Sequence, residues 1–304
     1  MLAIIAPGQG SQTPGMLNSW IADPSLKELL ISWSDAIGLD LVHLGTVADA
    51  DEIKDTANAQ PLIVATSLLG AHALGIKNFA VTSGHSVGEL AAAALSGAIS
   101  EADALTIVRA RGIEMAKAAA ASPSGMSALL GGDRAEVLAA IAALNLVAAN
   151  DNGAGQIVAA GDLQALASLN ENPPSGARVR ALAVAGAFHT QFMQPAVAPL
   201  RALASTISTH PVLIQVVSNK DGQVITDGSE VLTRIVNQIA NPVRWDLCMQ
   251  SLLAQGVTGV AELAPAGTLV GLIKRATPSI GQFALKSGAD LESAGEFIAQ
   301  HGGK

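Results

Sequence analysis

The sequence has little cysteine and little charge. Among its 304 residues is one cysteine, Cys248, which excludes an internal disulfide and a metal cluster built from cysteines. A single thiol suits a reducing compartment. Charged residues make up 14% of the chain, and 25 acidic against 17 basic side chains leave a formal net charge of −8. This balance argues against nucleic acid or an anionic membrane as the main partner.

Long apolar runs are also missing. No stretch reaches the roughly 18 apolar residues of a membrane span, because glycine, serine and charged residues interrupt the alanine-rich segments. The apolar run 1–6 is too short for a signal peptide and lacks a basic segment before it. We therefore predict a cytoplasmic protein. Half of the residues are hydrophobic, which favours a globular α/β protein over a disordered one.

Strand-like and helix-like segments alternate along most of the chain. The strands are predicted at 2–6, 78–82, 212–217, 257–263 and 282–285. Helices are predicted at 24–37, 58–74, 90–96, 101–120, 192–205, 229–239, 245–254 and 268–275. This alternation predicts a mostly parallel sheet with helices on both faces.

The middle of the chain has a different rhythm. Strands are predicted at 126–130, 146–149, 156–160 and 178–184, with helices after Asp133 and Asp162. The resulting order, β-α-β-β-α-β, is that of ferredoxin-like domains. We therefore predict a small subdomain, residues 123–188, inserted between residues 1–122 and 189–304 of a larger catalytic unit.

A candidate nucleophile lies in Gly84-His85-Ser86-Val87-Gly88-Glu89. A short strand precedes this stretch and an alanine-rich helix follows it, which is the context of a nucleophile elbow. The turn would expose the Ser86 hydroxyl and direct backbone N–H groups toward developing negative charge. By contrast, the loop Gly8–Gln12 lacks the ending of a phosphate-binding loop, so an ordinary turn explains it equally well.

A serine nucleophile needs a base, and the sequence offers His43, His72, His85, His189, His210 and His301. His189 lies where the insert rejoins the larger unit, and clefts between such units are common sites for small molecules. An ordinary junction histidine remains the alternative. We expect His85 to support the turn beside Ser86, and His301 to lie in a frayed tail.

Five motifs together resemble one family. In order they are Gly8-Gln9-Gly10-Ser11-Gln12, Gly84-His85-Ser86-Val87-Gly88-Glu89, Arg111-Gly112, Ala187-Phe188-His189 and Asn241-Pro242-Val243-Arg244-Trp245. This set is similar to that of malonyl-CoA:acyl-carrier-protein transacylases over essentially the whole chain. Because the first strand begins directly after Met1, the resemblance is to the stand-alone bacterial enzyme of type II fatty-acid synthesis. The expected fold class is α/β, with an α/β-hydrolase-like parallel-sheet core and the inserted ferredoxin-like subdomain.

The resemblance implies roles for individual residues. Ser86 would be the nucleophile and His189 the general base, held by a backbone carbonyl near Asn241 and Arg244; some relatives have glutamine in place of Arg244. The backbone N–H groups of Gln9 and Val87 would form the oxyanion hole.

Two further residues would select the substrate. Arg111 would grip the malonyl carboxylate, although the pattern alone does not exclude Arg109. Phe188 would narrow the acyl pocket, and an ordinary core residue is the alternative interpretation. Asn152 and Gln156 fit a plain β-hairpin, and they receive no role.

The resemblance implies no metal or redox cofactor and a monomeric enzyme. The expected partners are malonyl-CoA and an acidic acyl carrier protein, docked by basic residues drawn from Lys220, Lys274, Arg275 and Lys286. A serine hydrolase is the alternative function, but the carboxylates between serine and histidine, Asp133, Asp151 and Asp162, read as caps and turn residues. A catalytically silent binding protein would be expected to lack Ser86 or His189.

Overall fold

A computed structural model describes residues 1–302. The first part of the chain forms strands β1 (Leu2–Ala6) and β2 (Val81–Gly84) and helices α1 (Pro24–Ile37), α2 (Leu41–Thr46), α3 (Thr56–Leu74), α4 (Gly88–Leu95) and α5 (Glu101–Ala121). The middle part forms β3 (Ser124–Gly131), α6 (Arg134–Ala143), β4 (Val147–Asp151), β5 (Gln156–Asp162), α7 (Leu163–Glu171) and β6 (Ala177–Ala181). The predicted β-α-β-β-α-β order of this middle part is therefore present.

The last part forms α8 (Gln194–Ala204), β7 (Gln215–Val217), β8 (Val224–Ile225), α9 (Gly228–Gln238), β9 (Val243–Arg244), α10 (Trp245–Ala254), β10 (Gly259–Glu262), α11 (Thr268–Ala276), β11 (Gly281–Ala284) and α12 (Leu291–His301). The predicted frayed tail is wrong. His301 ends a helix, and its Nδ1 lies 3.0 Å from the Thr258 hydroxyl. The predicted strands 178–184 and 212–217 are shorter than expected. The Val184 N–H donates to the nearby Leu182 carbonyl, and the N–H groups of Val212 and Leu213 donate to the carbonyls of Thr226 and Ser96.

The larger sheet has six strands in the order β11-β10-β1-β2-β7-β8. All neighbouring pairs are parallel except β7 with β8. β1 lies between β10 and β2, and each of its five residues is buried. This burial explains the uninterrupted apolar run at the start of the sequence, since a central parallel strand is covered on both faces.

The smaller sheet has five strands in the order β6-β3-β5-β4-β9. Its first four strands are antiparallel neighbours and come from the middle of the chain. The fifth, β9, pairs in parallel with β4 and comes from the part of the chain that follows α9. The smaller sheet thus contains one strand that the sequence did not predict, and that strand belongs to a distant segment.

The carboxyl ends of the parallel strands position the site. β1 leads into the Gly8–Gln12 loop, β2 into the Ser86 turn, and β10 into the turn before α11. Ligands of open parallel sheets bind in the crevice outside these ends. A cleft of about 260 Å³ lies there, bounded also by β3 and β5 of the smaller sheet. No helix within residues 1–302 is long and apolar enough to cross a membrane.

Candidate active site

The turn that carries Ser86 is shaped by two close backbone approaches. A Cβ atom at Gly84 would overlap the Gly88 carbonyl, and one at Gly88 would overlap the Ala6 carbonyl. Glycine is therefore required at both positions for β2 and α4 to meet β1 so closely. Between them Ser86 has a φ of 53°, in the left-handed region that non-glycine residues seldom occupy. Such local strain is typical of functional turns.

The structure brings the predicted nucleophile and base together. Ser86 Oγ lies 2.8 Å from His189 Nε2, and His189 Nδ1 lies 2.9 Å from the Gln238 carbonyl oxygen. Because a carbonyl only accepts hydrogen bonds, Nδ1 carries the proton and Nε2 presents its lone pair to the hydroxyl. This tautomer is the one a general base needs.

His189 is buried and neutral. Burial and the nearby Arg111 charge together lower its pKa to about 3, against the opposing effect of hydrogen bonds to the Gln238 and Asn241 backbones. The imidazole is therefore unprotonated at neutral pH. The acceptor carbonyl belongs to Gln238, at the end of α9, rather than to the Asn241–Arg244 segment itself.

Asn241 and Arg244, the residues of that segment expected near His189, have side chains that contact other groups. The Asn241 side chain donates to the Asn237 carbonyl, 2.7 Å away, and is exposed. Arg244 forms a two-pronged contact with Asp246, at 2.9 and 2.8 Å. Its backbone N–H donates to the Asn219 carbonyl. The structure therefore does not bring the Arg244 side chain to His189.

The two backbone N–H groups predicted to form the oxyanion hole are free, within the described part of the chain, to bind an oxyanion. Within residues 1–302, neither the Gln9 nor the Val87 backbone N–H is used by another protein group. Val87 precedes α4, so its N–H also lies at the positive end of a helix dipole. The Gln9 side chain anchors its loop through Thr56 Oγ1, at 3.3 Å.

Arg111 is the arginine that faces the nucleophile. It is 1% exposed, and its Nη2 lies 3.3 Å from Ser86 Oγ. Its other contacts are the side-chain oxygens of Gln60 at 2.6 Å and Gln238 at 3.1 Å. These amide partners are neutral, so the guanidinium keeps its charge for an anionic ligand. Burial lowers the pKa of Arg111 to about 10, which still leaves it charged at pH 7. Arg109 instead donates to the Ala57 carbonyl.

Phe188 and His85 both line the cleft. Phe188 is 5% exposed and shares the cleft wall with Met115 and Met126. His85 Nε2 lies 2.8 Å from Asn152 Oδ1, so it joins the turn to the β4–β5 hairpin, as its expected supporting role requires. Burial lowers the pKa of His85, which favours the neutral ring. Asn152 and Gln156 line the cleft as well.

Sequence reasoning missed four polar residues around this site: Gln60, Glu89, Asn219 and Gln238. All four are buried, and each contacts Ser86, Arg111 or a residue bonded to them. Glu89 belongs to the elbow motif, which offered a signal that the prediction did not use. The other three are ordinary amide residues in sequence, so no local pattern marks them.

Comparisons with known proteins agree with this geometry. The model of the acyl transferase domain family matches residues 4–303. The chain belongs to this family. It is 50% identical over 297 residues to a malonyl CoA-acyl carrier protein transacylase from Mycobacterium tuberculosis, covering 96% of this chain and 98% of the relative. The chain is therefore an acyltransferase of the malonyl-CoA:acyl carrier protein transacylase group.

Two solved structures are similar over nearly the full length of the chain. The crystal structure of MCAT from Mycobacterium tuberculosis has a TM-score of 0.93 and 49% identity, covering 97% of this chain and 99% of that one. A malonyl-transacylase in complex with a type II PKS acyl carrier protein has a TM-score of 0.91 and 29% identity, with coverage of 97% and 99%. These matches support the mixed α/β architecture with two sheets described above.

Proposed function

We propose that this acyltransferase moves a malonyl group from malonyl-CoA to the phosphopantetheine thiol of an acyl carrier protein, supplying units for fatty-acid synthesis. The names of its relatives support both substrates. One observation carries the proposal: Ser86 Oγ lies within hydrogen-bond distance of both His189 and Arg111. A single methylene separates the malonyl carboxylate from the reacting carbonyl, so a guanidinium beside Oγ can bind it.

The first half-reaction forms a malonyl-serine ester. Ser86 Oγ attacks the thioester carbonyl carbon while His189 Nε2 takes the hydroxyl proton. The N–H groups of Gln9 and Val87 stabilise the resulting oxyanion, and losing one such donor typically costs about 2.7–4 kcal/mol of barrier stabilisation. When the carbon–sulfur bond breaks, His189 returns the proton to the departing CoA thiolate.

The second half-reaction reverses these roles. The carrier protein's thiol attacks the ester carbonyl, and His189 accepts the thiol proton. The carbon–oxygen bond then breaks, and the proton returns to Ser86 Oγ. This ping-pong sequence uses a Ser–His dyad, and its bonds and protons balance without a metal or redox cofactor.

We further propose that two residues select the acyl group. Arg111 would pair with the malonyl carboxylate through two parallel hydrogen bonds, a geometry that lysine does not reproduce. Acetyl-CoA would leave the buried cation unpaired. Phe188 would narrow the cleft and disfavour an α-branched group such as methylmalonyl.

The fold supports a matching division of the chain. We propose an α/β-hydrolase-like catalytic unit, residues 1–122 and 189–304, and a ferredoxin-like unit, residues 123–188. The order β6-β3-β5-β4 in the smaller sheet supports the second assignment. The additional pairing of β9 with β4 joins the two units.

A serine hydrolase is the competing function. Such enzymes usually orient the histidine with a carboxylate. In the described part of the chain, the partner of His189 Nδ1 is a carbonyl. Asp133 and Asp162 cap α6 and α7, and Asp151 pairs with Arg134.

Intact-protein mass spectrometry after brief mixing with malonyl-CoA separates the two functions. The transacylase predicts a malonyl-sized mass gain on the wild type, none on Ser86→Ala, and discharge when holo carrier protein is added. An adduct that disappears in buffer alone would favour the hydrolase. The absence of an adduct from malonyl-CoA, with one from another acyl-CoA, would overturn the role of Arg111.

A further inference from the structure

A buried polar network lies behind the reacting groups. It consists of Glu89 on α4, Asn219 after β7 and Gln238 at the end of α9, which are 3%, 0% and 5% exposed. Each of the three is hydrogen-bonded to Ser86, to Arg111 or to another member of the network. Any effect they have on the reaction must therefore act through Ser86, His189 or Arg111.

Two backbone groups fix the orientation of the Asn219 amide. The Ser86 backbone N–H donates to Asn219 Oδ1 at 2.8 Å, and Asn219 Nδ2 donates to the Gly84 carbonyl at 2.7 Å. A backbone N–H only donates and a carbonyl only accepts, so the oxygen and nitrogen of this amide cannot be exchanged. One side chain thus holds the strained turn at two backbone groups, both of which precede the Ser86 Cα.

Two acceptors orient the Gln238 amide. Gln238 Nε2 donates to Asn219 Oδ1 at 3.1 Å and to Glu89 Oε2. Its Oε1 therefore faces Arg111 Nη2, at 3.1 Å. The backbone carbonyl of the same residue accepts from His189 Nδ1. Gln238 consequently contacts both the base and the cation.

Glu89 closes the network as an acceptor at both oxygens. Its Oε1 accepts from the Asn219 backbone N–H at 2.6 Å, while Oε2 accepts from Gln238. The two donors meet two different oxygens, an arrangement that an amide, with one oxygen and one NH2, does not reproduce. Burial raises the pKa of Glu89, whereas the Asn219 N–H and the charge of Arg111 oppose that rise.

We propose that Glu89 and Asn219 are positioning residues with separable effects. Asn219 holds the Ser86 turn and so sets the rate of acylation for any acyl group. Glu89 holds the Gln238 amide with its oxygen toward Arg111 and so sets the preference for malonyl over acetyl. The inference rests on the proposed function, because it assigns Arg111 to the malonyl carboxylate.

Glu89→Gln tests the second effect with almost no change in shape. The amide introduced at position 89 has a single oxygen. If that oxygen accepts from the Asn219 N–H, the NH2 of the new amide faces the NH2 of Gln238. The Gln238 amide then loses its Glu89 acceptor and repels the new NH2, so its oxygen is no longer held firmly toward Arg111. Hydrogen bonds to charged groups are strong enough that the malonyl-to-acetyl ratio of kcat/KM for acylation should fall about 10- to 100-fold. The exposed Glu101→Gln is the matched control.

Asn219→Ala tests the first effect. It should slow acylation by malonyl-CoA and acetyl-CoA by the same factor, about tenfold or more. The ratio of the two rates should stay unchanged, because Glu89 Oε2 still accepts from Gln238 Nε2 and keeps the Gln238 oxygen toward Arg111. Asn18→Ala, at an exposed position, is its control. A changed ratio in Asn219→Ala, or unaltered rates in a folded protein, would overturn its assignment.

Gln238→Met keeps the carbonyl that holds His189 but removes the side-chain oxygen at Arg111. It should lower the malonyl-to-acetyl ratio of kcat/KM as Glu89→Gln does. The double variant should have a ratio no lower than either single variant, because both changes break the same connection from Glu89 through Gln238 to Arg111. Additive losses would overturn the connection. If circular dichroism shows that Glu89→Gln does not fold, an unchanged ratio in Gln238→Met still refutes the inference.

The wild type separates this inference from the proposed function. A wild type that forms a malonyl adduct without preferring malonyl would refute the role of Arg111 and this inference. A wild type that forms no malonyl adduct would refute the proposed function itself.

Discussion

Arg111 Nη2 lies 3.3 Å from Ser86 Oγ, so one buried cation borders the nucleophile directly. The same charge contributes to the low pKa of His189. The Arg111 side chain therefore influences two properties of the site: the choice of acyl group and the pKa of the general base His189.

Replacing Arg111 should change selectivity more than reactivity. Arg111→Ala should lower the malonyl-to-acetyl ratio of kcat/KM on the order of 10²–10³-fold, because the buried carboxylate would lose its ionic partner. Arg109→Ala, which loses only a contact with the Ala57 carbonyl, is the control. Acylation rates with both thioesters provide the measurement. An equal loss for the two acyl groups would contradict the assignment.

The acid limit of the reaction should lie far below the ordinary histidine range. Burial and Arg111 lower the pKa of His189 to about 3 from 6.5, so the neutral base persists as pH falls through 6 and 5. The pH profile of kcat/KM for acylation should therefore show no histidine inflection near 6.5. In Arg111→Ala, measured with acetyl-CoA, the inflection caused by His189 should lie at a higher pH than in the wild type, because the Arg111 charge no longer lowers the pKa of His189. A wild-type inflection near 6.5 would show that His189 is not shielded in this way.

The depressed pKa of His189 also predicts how stability depends on pH. Between about 3 and 6.5 the unfolded chain binds a proton that the folded His189 does not. The contribution of His189 to stability is therefore complete above pH 6.5 and is lost as pH falls toward 3. Urea unfolding of the wild type and His189→Gln across this range measures it, and parallel pH dependences would contradict it.

Phe188 should control tolerance of a branched acyl group. Phe188→Ser should raise the methylmalonyl-to-malonyl ratio of kcat/KM about tenfold or more, since one methyl group in a tight pocket is worth about 1–3 kcal/mol. Phe297→Ser removes a partly buried phenylalanine of α12 that is outside the cleft lining in the described structure. If both variants leave the ratio unchanged, Phe188 is a packing residue only.

The Ser86 turn should tolerate no methyl group at Gly88. Gly88→Ala should lower the free energy of unfolding by about 1–3 kcal/mol, because the new Cβ would meet the carbonyls of Ala6 and Pro7. Gly295→Ala is the control: no atom lies within 4 Å of its added Cβ, and alanine should stabilise α12 by up to about 1 kcal/mol. Urea midpoints distinguish them, and equal midpoints would disprove the steric account.

Docking of the carrier protein should depend on the exposed end of α11. The first turn of this helix lines the cleft at Thr268 and Leu269, and its last turn carries Lys274 and Arg275. Reversing both charges should slow transfer to the carrier protein about tenfold at low salt, with the difference shrinking at high salt. Malonyl-enzyme formation should not change. Lys117→Glu, on exposed α5 surface, is the control, and an unchanged transfer rate would exclude these two residues.

The sequence predicted what local pattern determines. A glycine-flanked serine between a strand and a helix defines Ser86, and a histidine at the end of an insert defines His189. Arg111 required the family resemblance, since helical spacing alone left Arg109 open. Asn219 and Gln238 could not be predicted, because only the folded chain brings them to the Ser86 turn.

The burial of Glu89 and the presence of strand β9 were not predicted from the sequence either, and for a similar physical reason. Glu89 stands in the first turn of a helix, where a carboxylate is usually solvated, and its burial depends on packing against segments more than a hundred residues away. Strand β9 has only two residues, too few for a periodic pattern. In both cases tertiary contacts decide what the local sequence leaves open.

The pairing of β9 with β4 has a consequence for biosynthesis. During synthesis, β4 emerges from the ribosome well before Val243 and Arg244, and at about 5–20 residues per second the interval is roughly 5–20 s. Until then β4 presents an open strand edge, a feature that invites pairing with other chains. The nascent protein therefore has a period of vulnerability to aggregation that ends only when β9 arrives.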